Sequence, residues 1–232
     1  MSIDLSSRDV SVISLMGNEL VSISFESSCY DSLEELFLNE NELSCLPEEL
    51  LFCTNLRILS VVGNRLTVLP DNFGNLRNLE EFHADENSIT ELPDSFELLS
   101  KLCVAELSEN MLLDLPQNLQ GLMSLSRLNL SGNKLRTLPE SIGQLEKLTH
   151  VDLSDNSIEF LPHSFNSKLT LKVLSLESNH LVNLPDWFNE MPNIEELITR
   201  GNPVRGAPLT AAFGEVNVKL RKFDASGNFM EG

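Results

Sequence analysis

Residues 125–139 read LSRLNLSGNKLRTLP, and the placing of Leu125, Leu128, Leu130, Asn133, Leu135, Leu138 and Pro139 within them decides the fold. The same frame recurs along the chain. Its asparagines stand at Asn18, Asn41, Asn64, Asn87, Asn110, Asn133, Asn156, Asn179 and Asn202, each 23 residues after the last. A fixed period of this size marks a repeat array, in which every unit packs against its neighbours and none buries a core alone.

Each part of the unit has a physical task. The segment before the asparagine ends in two apolar residues around one polar one, as in Leu36-Phe37-Leu38, Leu128-Asn129-Leu130 and Leu174-Ser175-Leu176, which predicts a short strand with one buried face. A strand this short, followed by a return of about 17 residues, pairs in parallel with the strand of the next unit. The asparagine follows where the chain leaves the sheet, and its amide can donate to and accept from backbone groups that would otherwise be buried unpaired. A leucine at plus five precedes Pro47, Pro70, Pro93, Pro116, Pro139, Pro162 and Pro185. Proline there ends the extended run and suits the first position of a helical or 3-10 turn on the outer face. Phe73, Phe96, Leu119, Ile142, Phe165 and Phe188 are expected to point inward from those turns.

With this frame on 23-residue units and LPxxLxxLxxL after the asparagine, the chain resembles the leucine-rich repeat proteins. More narrowly it resembles the intracellular class of Ras-pathway scaffolds, the Ras suppressor family and the LAP polarity proteins. The resemblance runs from about Val10 to Pro208. It implies an α/β fold, a right-handed leucine-rich repeat solenoid or horseshoe, with a parallel β-sheet on the concave face and short helical or 3-10 turns on the convex face. It also implies a non-enzymatic binding platform in intracellular signalling.

A single domain, 1–232, is expected, with a degenerate first repeat over 10–32, regular repeats over 33–193 and irregular repeats over 194–232. In the first unit Ser24 stands where proline is expected, and this unit would serve as the N-terminal cap, since little precedes Val10. Lys168 replaces the apolar residue seen at Leu145 and Met191, so its stem should lie along the core with the ammonium in water. At the far end Pro208 remains in frame, but Leu220, Phe223, Ala225 and Asn228 are displaced, Asn228 following Asn202 by 26 residues. Both a truncated array and a frayed natural terminus fit that pattern.

Composition sets the surroundings. The 232 residues carry a formal net charge of -19, one Trp and one Tyr. Nucleic acid is disfavoured as a partner, because phosphate contact needs the opposite sign. No stretch approaches the ~18 apolar residues of a spanning helix, and MSIDLSSRDV lacks the basic and apolar regions of a signal peptide. Cys29, Cys45, Cys53 and Cys103 lie singly, which suits reduced thiols in the cytoplasm, with the nucleus as the second compartment.

In such a stack the residues at minus seven, minus six, minus four, minus two and minus one from each asparagine form the concave surface. With rungs ~4.8 Å apart, nine of them span about 38 Å, enough for a protein or an extended peptide. The expected protein-binding residues are Glu35, Phe37, Arg57, Ile58, Val62, Glu81, His83, Asp85, Glu106, Asn129 and Asp152. At the exposed strand positions of the units of Asn41 to Asn110 carboxylates outnumber cations, with Arg57 the one basic residue. Such a field, with Phe37, Ile58, Val62 and Val104 as apolar anchors, would attract and hold a protein partner with a basic patch. His83, Asp85 and Glu106 lie close enough to consider a metal or an acid-base pair, and Cys103 with His83 a thiol-imidazole pair. No cluster of His ligands forms, His150 lying three rungs away. The chain is therefore expected to be no enzyme and to need no metal or cofactor. The reading is a scaffold or adaptor; a substrate-recognition part of a ubiquitin ligase and a structural assembly component are the alternatives.

Overall fold

The computed structural model describes residues 2–4, 10–25, 31–167, 170–183, 185, 191, 193–204, 222–224 and 226. Three-residue strands alternate with outer turns throughout. They are β1 (Ser2–Asp4), β2 (Val12–Ser14), β3 (Ser22–Ser24), β4 (Glu35–Phe37), β5 (Ile58–Ser60), β6 (Glu81–His83), β7 (Val104–Glu106), β8 (Arg127–Asn129), β9 (His150–Asp152), β10 (Val173–Ser175), β11 (Glu196–Ile198) and β12 (Lys222–Asp224). All but β1 and β3 form one parallel sheet, ordered from β12 through β4 to β2. Register advances by one unit per strand: Leu36 pairs with Leu59, Leu59 with Phe82, and Ala105 with Leu128. From β2 to β11 the middle residue of each strand is buried and its neighbours are mostly exposed in part or in full, as in Glu35–Leu36–Phe37, with Ser60 and Ser175 buried as well. One face therefore joins a continuous leucine core, and the other forms the concave surface.

The asparagine ladder is realised bond by bond. Asn64 Nδ2 donates to the carbonyls of Val61 in its own unit and Leu38 in the unit before, each at 2.9 Å, and its Oδ1 accepts the Leu43 N–H at 3.0 Å. Asn110 repeats this with Leu107 and Ala84 carbonyls and the Ile89 N–H, and Asn202 with Thr199, Leu176 and the Leu181 N–H. Asn18 differs from the rest. It donates only to the carbonyls of Leu15 and Met16 and is exposed.

Beside each asparagine the backbone turns with positive φ. Gly17, Gly63, Gly132 and Gly201 take the position at minus one in four units, while Glu40, Glu86, Glu109, Asp155 and Ser178 occupy it in the other five with φ of 52° to 55°. A side chain there costs about 1 kcal/mol.

Most outer turns are 3-10 helices, including Glu48–Phe52, Asp94–Leu98 and Glu140–Gln144, while residues 117–125 make plain turns. Proline sits one residue earlier than the sequence suggests. Pro47, Pro93 and Pro139 precede the helix with extended backbone, ψ near 150°, and their carbonyls accept the N–H groups of Leu50, Phe96 and Ile142. The ring fixes φ but leaves ψ free, so proline can end the extended run and still receive the first helical bond. Phe73, Phe96, Leu119, Ile142 and Phe165 are buried as expected. The rings of Phe73, Phe82 and Phe96 gather with centroids 4.9 to 6.3 Å apart. Successive outer turns touch closely: a Cβ at Gly74 would lie 1.9 Å from the Ser95 carbonyl oxygen.

The ends differ from the sequence reading in one respect. Residues before Val10 do contribute, because β1 pairs in parallel with β3, Ile3 opposite Ile23, in a separate two-stranded sheet. Three residues suffice to extend the return side of the first unit. At the far end β12 pairs with β11, Phe223 opposite Leu197, so the displaced 26-residue unit keeps sheet register. Lys168, Phe188, Pro208, Leu220, Ala225 and Asn228 lie outside the described residues.

Candidate functional site

The expected binding residues occupy the concave side of the sheet. Glu35, Phe37, Ile58, Glu81, His83, Glu106, Asn129 and Asp152 stand on strands β4 to β9; Val62 and Asp85 follow β5 and β6, and all are partly exposed. Arg57 lies at the flank, just before β5, and is exposed.

Their side chains divide into those already engaged and those without such partners. Arg57 forks onto Glu80, Nε to Oε1 at 3.1 Å and Nη2 to Oε2 at 3.0 Å, with Glu34 at 3.9 Å. The hydrogen bond from Arg57 and its charge hold the Glu80 carboxyl below the ordinary carboxylate value. Arg57 is thus largely neutralised within the flank. Asp85 Oδ1 accepts from the Ser108 N–H at 3.0 Å and hydroxyl at 2.6 Å. Asp152 and Asn129 do the same for Ser154 and Ser131 of their own units. These three residues help hold the turn backbone, and their polar atoms lie down on the sheet. Glu81 reaches His83 Nε2 at 3.2 Å, an exposed contact of small energetic weight.

The thiol-imidazole pair does not form: Cys103 Sγ donates to the Lys101 carbonyl, while His83 turns to Glu81. Among the described residues no group of three or more His, Cys, Asp or Glu is placed to hold a metal ion. No described helix is long and apolar enough to cross a membrane.

Two features of the face stand out in the structure. Val12 on β2 and Met16 just after it are 50% and 48% exposed, on the concave side with Phe37, Ile58 and Val62. Further along, a depression of about 370 Å³ is lined by Glu106, Arg127, Asn129, His150, Asp152 and Ile198, among others. Burial lowers the pKa of His150, and the charges of Arg127 and Lys172 add to it, so the ring is neutral near pH 7 while Thr149 Oγ1 contacts its Nδ1 at 2.8 Å. His150 was legible as a concave-face residue from its place six residues before a ladder asparagine; Arg127 stands at the same place in the unit before and was not singled out.

Models of the leucine-rich repeat match residues 147–204, 55–76 and 124–145. They fall on units whose asparagines form the ladder. The chain is a leucine-rich repeat protein. Among solved structures, this repeat protein is similar to YopM from Yersinia enterocolitica, with 28% identity and TM-score 0.73 over 99% of this chain and 47% of that one. A leucine-rich repeat protein of Leptospira interrogans matches at 25% identity and TM-score 0.73, over 92% of this chain and 65% of its own. The ectodomain of the Arabidopsis thaliana receptor kinase GASSHO1/SCHENGEN3, solved in complex with CASPARIAN STRIP INTEGRITY FACTOR 2, matches in fold at 24% identity and TM-score 0.79, over 94% of this chain and 30% of that one. The repeat protein thus spans 65% or less of the length of each of these three chains. Against curated proteins no match is found.

Proposed function

We propose that this chain is a non-enzymatic binding module, an adaptor in intracellular signalling, whose concave face takes a protein partner bearing Lys or Arg beside apolar side chains. One observation carries the reading: Val12, Met16, Phe37, Ile58 and Val62 leave apolar surface open on the sheet, bordered by Glu35, Glu40 and Glu81. Apolar contact would hold the partner, and the carboxylates would raise its rate of encounter and select its charge. The leucine-rich repeat is typically a protein-interaction module, which agrees with this use. The singly spaced cysteines support a reducing compartment.

Replacing Glu35, Glu81 and Glu106 with Lys tests the proposal, since none of the three supports the turn backbone as Asp85 does. Affinity capture should lose its main partners while the circular dichroism spectrum is unchanged. An unchanged set of partners would move the site off this face. It would favour the structural-assembly reading, for which Val68, Leu113, Phe160 and Val182, 40% to 59% exposed on the opposite flank, offer a surface.

A further inference from the structure

The column six residues before each ladder asparagine runs in register along the sheet as Val12, Glu35, Ile58, Glu81, Val104, Arg127 and His150. From Glu35 to Arg127 it alternates charged and apolar, so a charge falls on every second strand. Parallel strands stand about 4.8 Å apart, which spaces those charges at about 9.6 Å along the stack. Concave curvature draws the side-chain tips slightly closer than that.

Regular peptide conformations differ in how well they repeat a face at this pitch. A β-strand returns to the same face every ~6.8 Å. An α-helix approaches it at seven residues, about 10.5 Å, and accumulates about 1.8 Å of error over two steps. A polyproline II helix repeats every three residues at about 9.3 Å, and the error over two steps is about 0.6 Å. Its side chains at i, i+3 and i+6 would meet three successive charges of the column.

The charged groups of this column also lack the engagements found elsewhere on the face. Among the described residues neither Glu35 nor Arg127 forms an ion pair, and Glu81 has only its contact with His83. Alongside this column Ser60 is buried and Asn129 lies bonded to Ser131, while Phe37, His83 and Glu106 stand partly exposed as the wall of the track.

We infer that the concave face binds a polyproline II segment of its partner, laid along the stack, with Lys or Arg at i and i+3 over Glu35 and Glu81 and a carboxylate at i+6 over Arg127. The inference rests on the protein-binding reading above and adds to it the conformation and spacing of the ligand.

Three synthetic nonapeptides, fluorescently labelled and titrated against the full chain by anisotropy, test it: KPPKPPEPP, its spacing isomer KPPPKPPPE, and KPPKPPKPP. The first should bind about tenfold more tightly than the isomer of equal composition, the difference that two or three aligned surface ion pairs make. An Arg127→Glu variant with an unchanged circular dichroism spectrum should reverse the preference between the first and third peptides. Equal binding of the two isomers, or no binding of any peptide at about 1 mM, overturns the polyproline register. Loss of partner capture by the triple Lys variant, seen together with either of those results, would leave the protein-binding reading standing.

Discussion

Replacing Asn133 with leucine tests the ladder at its centre, and the cost can be worked from its bonds. Asn133 is 7% exposed; its Nδ2 donates to Leu107 and Leu130 carbonyls, both at 3.0 Å, and to Ser131 at 3.3 Å, while Oδ1 accepts the Leu112 N–H at 2.9 Å. The carbonyls are shared. Leu107 O also receives Asn110 Nδ2 and Leu130 O receives Asn156 Nδ2, so each keeps one donor when Asn133 is removed. The buried Leu112 N–H loses the acceptor it has here. An orphaned buried donor costs about 1–3 kcal/mol, and the carbonyl bonds add about 0.5–1 kcal/mol between them, giving about 1.5–4 kcal/mol. Asn18→Leu supplies the internal control, because that amide is exposed and bonds only within its own turn; its cost should stay under about 1 kcal/mol. Urea unfolding followed by circular dichroism gives both, provided the slope with denaturant is unchanged. Equal shifts for the two variants would refute the cross-unit amide as the source of stability.

Gly74→Ala should lower stability by about 1–3 kcal/mol, because the new methyl meets the Ser95 backbone rather than a movable side chain; a thermal melt matching wild type would mean the outer turns separate freely. Asp85→Ala should cost about 1 kcal/mol by leaving the Ser108 N–H without its acceptor, whereas Glu106→Ala should be neutral in the same unfolding assay. Glu140 accepts the N–H groups of Ser164 and His163, chiefly the former, and its pKa is lowered. A depressed carboxyl contributes stability that is present above its unfolded value and lost as pH falls through its folded one. The gap in unfolding midpoint between wild type and Glu140→Gln should therefore be widest near neutrality and close in acid, and a gap independent of pH would exclude this linkage.

Much of the fold was legible because the period and the asparagine frame are both strict. The middle residue of a three-residue strand is apolar between polar or mixed neighbours, so Leu36 and Leu128 declare its face without further context. The site was less legible for a definite reason. Asp85 and Glu106 look alike as exposed carboxylates, yet one spans to Ser108 and the other does not, and only coordinates separate them. Arg57 counts as a basic residue in any composition, while its fork onto Glu80 depends on their being neighbours across 23 residues. The strand at Ser2–Asp4 escaped notice because three residues carry no period of their own. Glu40, Glu86, Glu109, Asp155 and Ser178 are placed by the frame at the concave edge, but nothing in those side chains announces positive φ.

The last strand shows what the array can vary. Phe223 stands five residues before Asn228, as Leu197 does before Asn202, although the unit between them has grown to 26 residues. The three extra residues fall in the sequence between β11 and β12, and the spacing from strand to asparagine is unchanged. A chain built this way can acquire length on its convex side, loop by loop, while the pitch of its concave face stays fixed, so new surface can be added without retuning the old.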